Sequence, residues 1–115
     1  MGANEAIFCR GHDVLHMNHT PVADIPQGQV NVIGDIPAIC VRPIKANELG
    51  SLVISGGTFR VKGDAVIAKG AVVYWNDTAK KVTVTATSNK YFGIAAENCT
   101  GDNDEFEVAY RTGKT

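Results

Sequence analysis

The chain has 115 residues, of which 44% are apolar and 20% charged, and its formal net charge is -1. That is enough chain for one domain with its own core, without help from disulfides or a metal. The dispersed basic residues and near-neutral charge give no drive toward nucleic acid or a membrane surface, and no apolar run approaches the roughly 18 residues that would cross a bilayer.

Thirteen Val and nine Ile stand against three Leu. β-Branched side chains fit pleated strands and lose rotamer freedom in helices, so the imbalance predicts an all-β fold. Cys9, Cys40 and Cys99 are odd in number and contain no C-x-x-C, so they read as small apolar residues rather than zinc ligands or a disulfide framework.

In chain order, residues 1–24 differ from the rest. They hold His12, His16 and His19 and both methionines, and show alternation only around Ala6, Ile7 and Phe8. A flexible N-terminal arm with at most one short strand is expected there, with a β-rich body over 25–115. The opening residues include Glu5 and no long apolar stretch, so no secretory signal is expected.

Strands are predicted at 29–33 and 38–42 around a turn at Gly34 and Asp35, with Pro43 closing the second. Next come 51–55 and 58–62, joined through Gly56 and Gly57 as a hairpin. Residues 63–70 read as one short helical turn or a plain loop. Strands at 71–75 and 81–86 flank a turn at Asn76 and Asp77, with Val82 and Val84 inward and Thr83 and Thr85 outward. Strands at 91–96 and 105–111, around an acidic turn at 101–104, bring the total to about eight.

One pattern occurs twice. Ile25, Gly28, Val30, Val32 and Asp35 recur 42 residues later as Ile67, Gly70, Val72, Tyr74 and Asp77. Each copy has a glycine at a bend, apolar residues at period two, and an Asp-containing turn. Two related β-meander units sharing a core are expected, and the repeat carries no chemical group of its own.

Candidate sites are sparse. His12, His16 and His19 would share a face on a helix, but Gly11 and the Thr20-Pro21 step oppose helix, and on a strand His19 points away from the other two; no metal is expected. Asp102, Asp104 and Glu105 lack the spacing of a calcium loop and read as a solvated turn. No nucleophile elbow is present, and no catalytic or cofactor-binding residue is expected. Tyr74 and Trp75 are adjacent in a strand and face opposite sides, so one belongs in the core and the other is a subunit-interface candidate.

The segments Ala3 to Phe8, Gly34-Asp35-Ile36, Arg42-Pro43-Ile44, Glu48-Leu49-Gly50, the repeat running from Ile67 to Val73-Tyr74-Trp75-Asn76-Asp77, and Phe92-Gly93-Ile94-Ala95 together resemble a known family. It is that of the capsid cement, or head decoration, proteins of tailed bacteriophages and prophages, long described as a domain of unknown function and sometimes labelled recombinase. The resemblance implies a compact β-barrel or β-tulip-like domain with an extended arm, and no enzyme activity. It implies a homotrimer on the outer surface of the expanded head that bridges major capsid subunits, made in the bacterial host cytoplasm. Ile7 and Phe8 are then the expected capsid contacts of the arm. A competing reading is a virion-surface module for a host carbohydrate, which needs an exposed aromatic shelf, with Trp75 the only tryptophan available. A nucleic-acid-binding role finds no basic patch interleaved with aromatics.

Overall fold

A computed structural model describes residues 5–10 and 14–112. Twelve strands follow in order: β1 (Ala6–Arg10), β2 (Leu15–His19), β3 (Val30–Ile33), β4 (Ile36–Ile39), β5 (Gly50–Ser55), β6 (Thr58–Lys62), β7 (Val66–Ile67), β8 (Val72–Asn76), β9 (Lys81–Thr83), β10 (Lys90–Ala95), β11 (Cys99–Thr100) and β12 (Glu105–Tyr110). They form a six-stranded sheet, β1-β6-β12-β10-β8-β9, a four-stranded sheet, β2-β5-β4-β3, and the short pair β11-β7. The fold is all-β, and among the described residues there is no helix. Residues 63–70 hold β7 rather than a helical turn.

The segment expected as an arm supplies two paired strands. β1 pairs with β6 and β2 with β5. Ala6 is buried, the amides of Glu5 and Ala6 both donate to Gly28 O, and Glu5 Oε1 accepts from Val30 N at 2.9 Å. β2 escapes a pattern search because it ends its sheet and shows Leu15, His16 and Asn18 exposed, with only Met17 and His19 partly covered. The expectation for Val84 is also corrected. β9 stops at Thr83, whose Oγ1 accepts from Thr85 N and turns the chain, so Thr83 is buried and Val84 is 54% exposed.

The 42-residue repeat corresponds to matched hydrogen bonds. Gly28 (φ 87°) and Gly70 (φ 92°) adopt the same left-handed backbone in turns closed by Gln29 N to Pro26 O and Ala71 N to Ala68 O. Gly28 N donates to Cys40 O at 2.6 Å, and Gly70 N to Ala95 O at 2.7 Å. The return bonds are Cys40 N to Gln29 O and Ala95 N to Ala71 O. Bridge Ile25↔Ile44 matches Ile67↔Cys99, and Val30↔Ile39 matches Val72↔Ile94. Met17↔Leu52 matches Phe59↔Val108, and Ile39↔Val53 matches Ile94↔Ala109. Sheet order agrees too, β2-β5-β4-β3 against β6-β12-β10-β8. Each unit is a three-stranded meander with the preceding strand laid beside its last, a Greek-key order read backwards.

Two apolar clusters result. The main core lies between the large sheets, where Phe59, Trp75, Phe92, Val108 and Tyr110 meet Val30, Ile39 and Val53. Trp75 stacks on Phe92 at 5.8 Å between ring centroids, and Tyr110 lies 4.9 Å from Phe92 and 5.4 Å from Phe59. Tyr110 Oη crosses the core to Pro37 O at 2.5 Å, with Val53 O at 3.2 Å. The smaller cluster, Ile25, Ala38, Cys40, Ile44 and Leu52, covers part of the far face of the four-stranded sheet.

Two predictions follow from this packing. A Cβ at Gly93 would sit 2.1 Å from Ala109 O, whereas one at Gly70 meets nothing within 4 Å and bears only the positive φ. In urea denaturation Gly93→Ala should lose about 3 kcal/mol or more and Gly70→Ala about 1 kcal/mol; equal losses would contradict the close strand approach. Burial pushes the Tyr110 hydroxyl far above the ordinary tyrosine range. The unfolded phenol ionises near about pH 10 while the folded one stays neutral, so this stability is complete below that pH and is lost as pH rises beyond it. Tyr110→Phe should flatten that alkaline loss and cost roughly 1–3 kcal/mol at neutral pH, since two buried carbonyls lose their donor.

Candidate functional site

β1 is the terminal strand of the six-stranded sheet, and its side chains alternate between two faces. Phe8 pairs with Phe59, which is fully buried, so the Phe8 ring enters the core side and meets Phe59 edge-on at 5.3 Å. Because among the described residues no strand lies beyond β1, 45% of Phe8 stays exposed. Ile7 pairs with Arg60 and lies on the opposite, outer face, 38% exposed. The two expected contact residues therefore share a strand but not a face.

Phe8 stands between two clefts. One, about 260 Å³, runs along Ala6 and Ile7 to Gln27, Gly28, Cys40 and Val41. The other, about 200 Å³, is lined by Val14, His16, Val41 and Val53. Val41 borders both, and the ladder shifts register between Phe8 and Arg10. Such an irregularity bends a terminal strand and blunts it against unspecific pairing. The arrangement is an apolar mouth at the open end of the core, sized for one or two side chains of a partner. Val14 and Val41 had drawn no attention as sequence, although Val41 continues the inward alternation of Ile39.

The outer face of the six-stranded sheet carries the other expected contact. Tyr74 pairs with Tyr91, and their rings meet edge-on at 6.0 Å. Trp75 faces the other way and is 1% exposed, so of the pair Trp75 is the core residue and Tyr74 the one left on the outer face. Trp75 is also no shelf for a sugar. Its Nε1 donates to Asp77 Oδ1 at 3.0 Å, which also accepts from Lys80 Nζ at 2.9 Å. Burial works to raise the Asp77 carboxyl, but the Lys80 and Trp75 hydrogen bonds outweigh it and hold the carboxyl low. Asn76 Oδ1 accepts from the amides of Thr78 and Ala79. The Tyr-Trp-Asn-Asp segment is thus a strand with a latched turn, a structural device rather than a reactive one.

Beside Ile7, Arg60 lies 3.7 Å from Glu97, 3.9 Å from Glu105 and 3.9 Å from Glu107. These are solvated pairs of small energetic value. Burial raises the Cys40 thiol, consistent with an inert apolar role. His12 lies outside the described residues. His16 and His19 lie in one extended strand, His16 against the Phe8 mouth and His19 beside the 20–25 loop. Among the described residues no group of His, Cys, Asp and Glu is placed to hold a metal ion, and no helix is long and apolar enough to cross a membrane.

Comparison with curated proteins and with solved structures gives no match. The family model for phage cement protein does match, over residues 8–111. That span runs from Phe8 in β1 through both repeat units to the end of β12, and the chain belongs to the phage cement protein family.

Proposed function

We propose that the chain binds the outer surface of the expanded phage head as a homotrimer and stabilises contacts between neighbouring major capsid subunits. Membership of the cement family gives it a structural, capsid-associated role in the virion. The observation that carries the finer reading is Phe8, a large apolar side chain held half-exposed between two clefts at the end of a rigid sheet. A partner gripping β1 along its edge covers Ile7 on one face and Phe8 on the other. Because β1 is already paired in the sheet, binding does not have to order that strand first, and little conformational entropy is lost. Three copies acting together turn weak single contacts into firm retention. Nothing in this role requires catalysis, a cofactor, nucleic acid or a membrane.

The test is co-sedimentation of the purified chain with expanded heads that lack it, beside unexpanded procapsids. Saturable binding to expanded heads alone, at a copy number matching threefold positions, is expected. The double variant Ile7→Asp, Phe8→Asp should not co-sediment. Phe8→Ala should weaken binding at least about tenfold, with a stability loss smaller than the 3–5 kcal/mol of a fully buried Phe, since the ring is half-exposed. Undiminished binding by both variants would remove β1 from the contact, and equal binding to procapsids would remove the dependence on expansion.

A further inference from the structure

The two repeat units are alike in strand order and register, yet they bury opposite faces. In the second unit Ile67, Ala95, Cys99 and Val108 point into the main core. Their counterparts by ladder position, Ile25, Cys40, Ile44 and Leu52, point away from it and form the smaller cluster. Conversely, Val30, Ile39 and Val53 of the first unit line the main core, while their counterparts Val72, Ile94 and Ala109 face outward. Matching hydrogen-bond patterns fix which side each counterpart projects from, so the inversion is a property of how the units stack. They stack head to tail, the inward face of the second unit on the back of the first.

A head-to-tail stack of two similar units does not close on itself. It leaves one face of each kind unmatched. On the first unit this is the strip Met17, Ile33, Ile36 and Ile54, half-covered and packed beside the smaller cluster. Its counterparts in the second unit include Phe59, Trp75 and Tyr110, the residues that make the intramolecular contact. On the second unit it is the back of the sheet, Val72 at 37% exposure with Tyr74, Ile94 and Ala109. An antiparallel sheet with one solvated face ordinarily alternates apolar with polar, and these positions break that rule.

We infer that the occupant of each unmatched face is a second copy of this chain: the Met17, Ile33, Ile36, Ile54 strip of one copy receives the Val72, Tyr74, Ile94, Ala109 back of the next. The contact repeats between chains the stacking already made within the chain. Polar positions also correspond, because exposed Asn18 and Ser51 of the first unit fall at the same ladder pair as Arg60 and Glu107 of the second, toward one end of each back face. Three such contacts give the trimer of the reading above where the rotation between copies closes the ring, and this inference deepens that reading by naming its subunit surface. It is tested without heads, so its failure and the failure of head binding are separate results.

The experiment is sedimentation equilibrium of the full chain at high micromolar concentration, with Val72→Asp on the back face and Met17→Lys or Ile36→Asp on the strip. Circular dichroism and thermal melting confirm folding, and two strip variants are used in case one fails to fold. The wild-type chain should self-associate, and each variant alone should sediment at 12.2 kDa. An equimolar mixture of Val72→Asp with a folded strip variant should give a species of twice that mass and none larger, since each supplies the one face the other lacks. A monomeric wild-type chain, variants that associate like wild type, or a mixture that stays at monomer mass would each overturn the head-to-tail contact.

Discussion

A sheet with two apolar faces must be covered on both, and the sheet β2-β5-β4-β3 has two. Val30, Ile39 and Val53 point one way, and Ala38, Cys40 and Leu52 point the other. The first set is covered by the aromatic face of the six-stranded sheet. The second is covered in part by the chain itself, where Ile25 and Ile44 bridge over one end. Much of the remaining architecture answers this demand. Gly28 provides the bend that brings Ile25 over the sheet, Asn47 N donates to Pro21 O and Ala46 N to Asp24 Oδ1 to pin the covering loops, and Tyr110 ties the sheets across the core.

The all-β class was legible from β-branched composition alone, and most strands of the body from alternation and glycine. The 58–62 strand agrees with β6 residue for residue, but the expected Gly56-Gly57 hairpin does not form. β5 and β6 lie in different sheets, and the two glycines, both at positive φ, carry the chain from one sheet to the other while Gly56 N donates to Tyr110 O and Gly57 O accepts from Tyr110 N. What the pattern did not reveal has a physical cause in each case. β1 and β2 are terminal strands, where exposure dilutes alternation and the tertiary partner decides the conformation. β7 and β11 are two residues each, too short for a periodic signal. The glycine-bend repeat was visible, but not the opposite burial of its two copies, because one sequence pattern serves either face until the partner sheet is known.

The site was half legible. Phe8 could be singled out as a large apolar residue near the N-terminus, but its clefts are closed by Val41 and Val53, distant in sequence and brought close by the ladder of β4 and β5. Tyr74 and Trp75 were correctly set on opposite faces, and only burial tells which is which: Trp75 has Phe92 and Asp77 to hold it inside. In both places the functional reading depends on what the fold leaves uncovered. A protein whose work is adhesion shows its site as apolar surface at the ends of sheets rather than as a cluster of reactive groups.

The most direct measurement is amide hydrogen exchange of the chain bound to expanded heads, compared with the chain alone. If the mouth around Phe8 is the head contact, bound protein gains protection in β1, at Val14 to His16, and around Val41, while the 77–80 turn at the far side of the six-stranded sheet exchanges as before. Protection gained at that turn with none at β1 would contradict the account and place the head contact at the opposite end of the sheet.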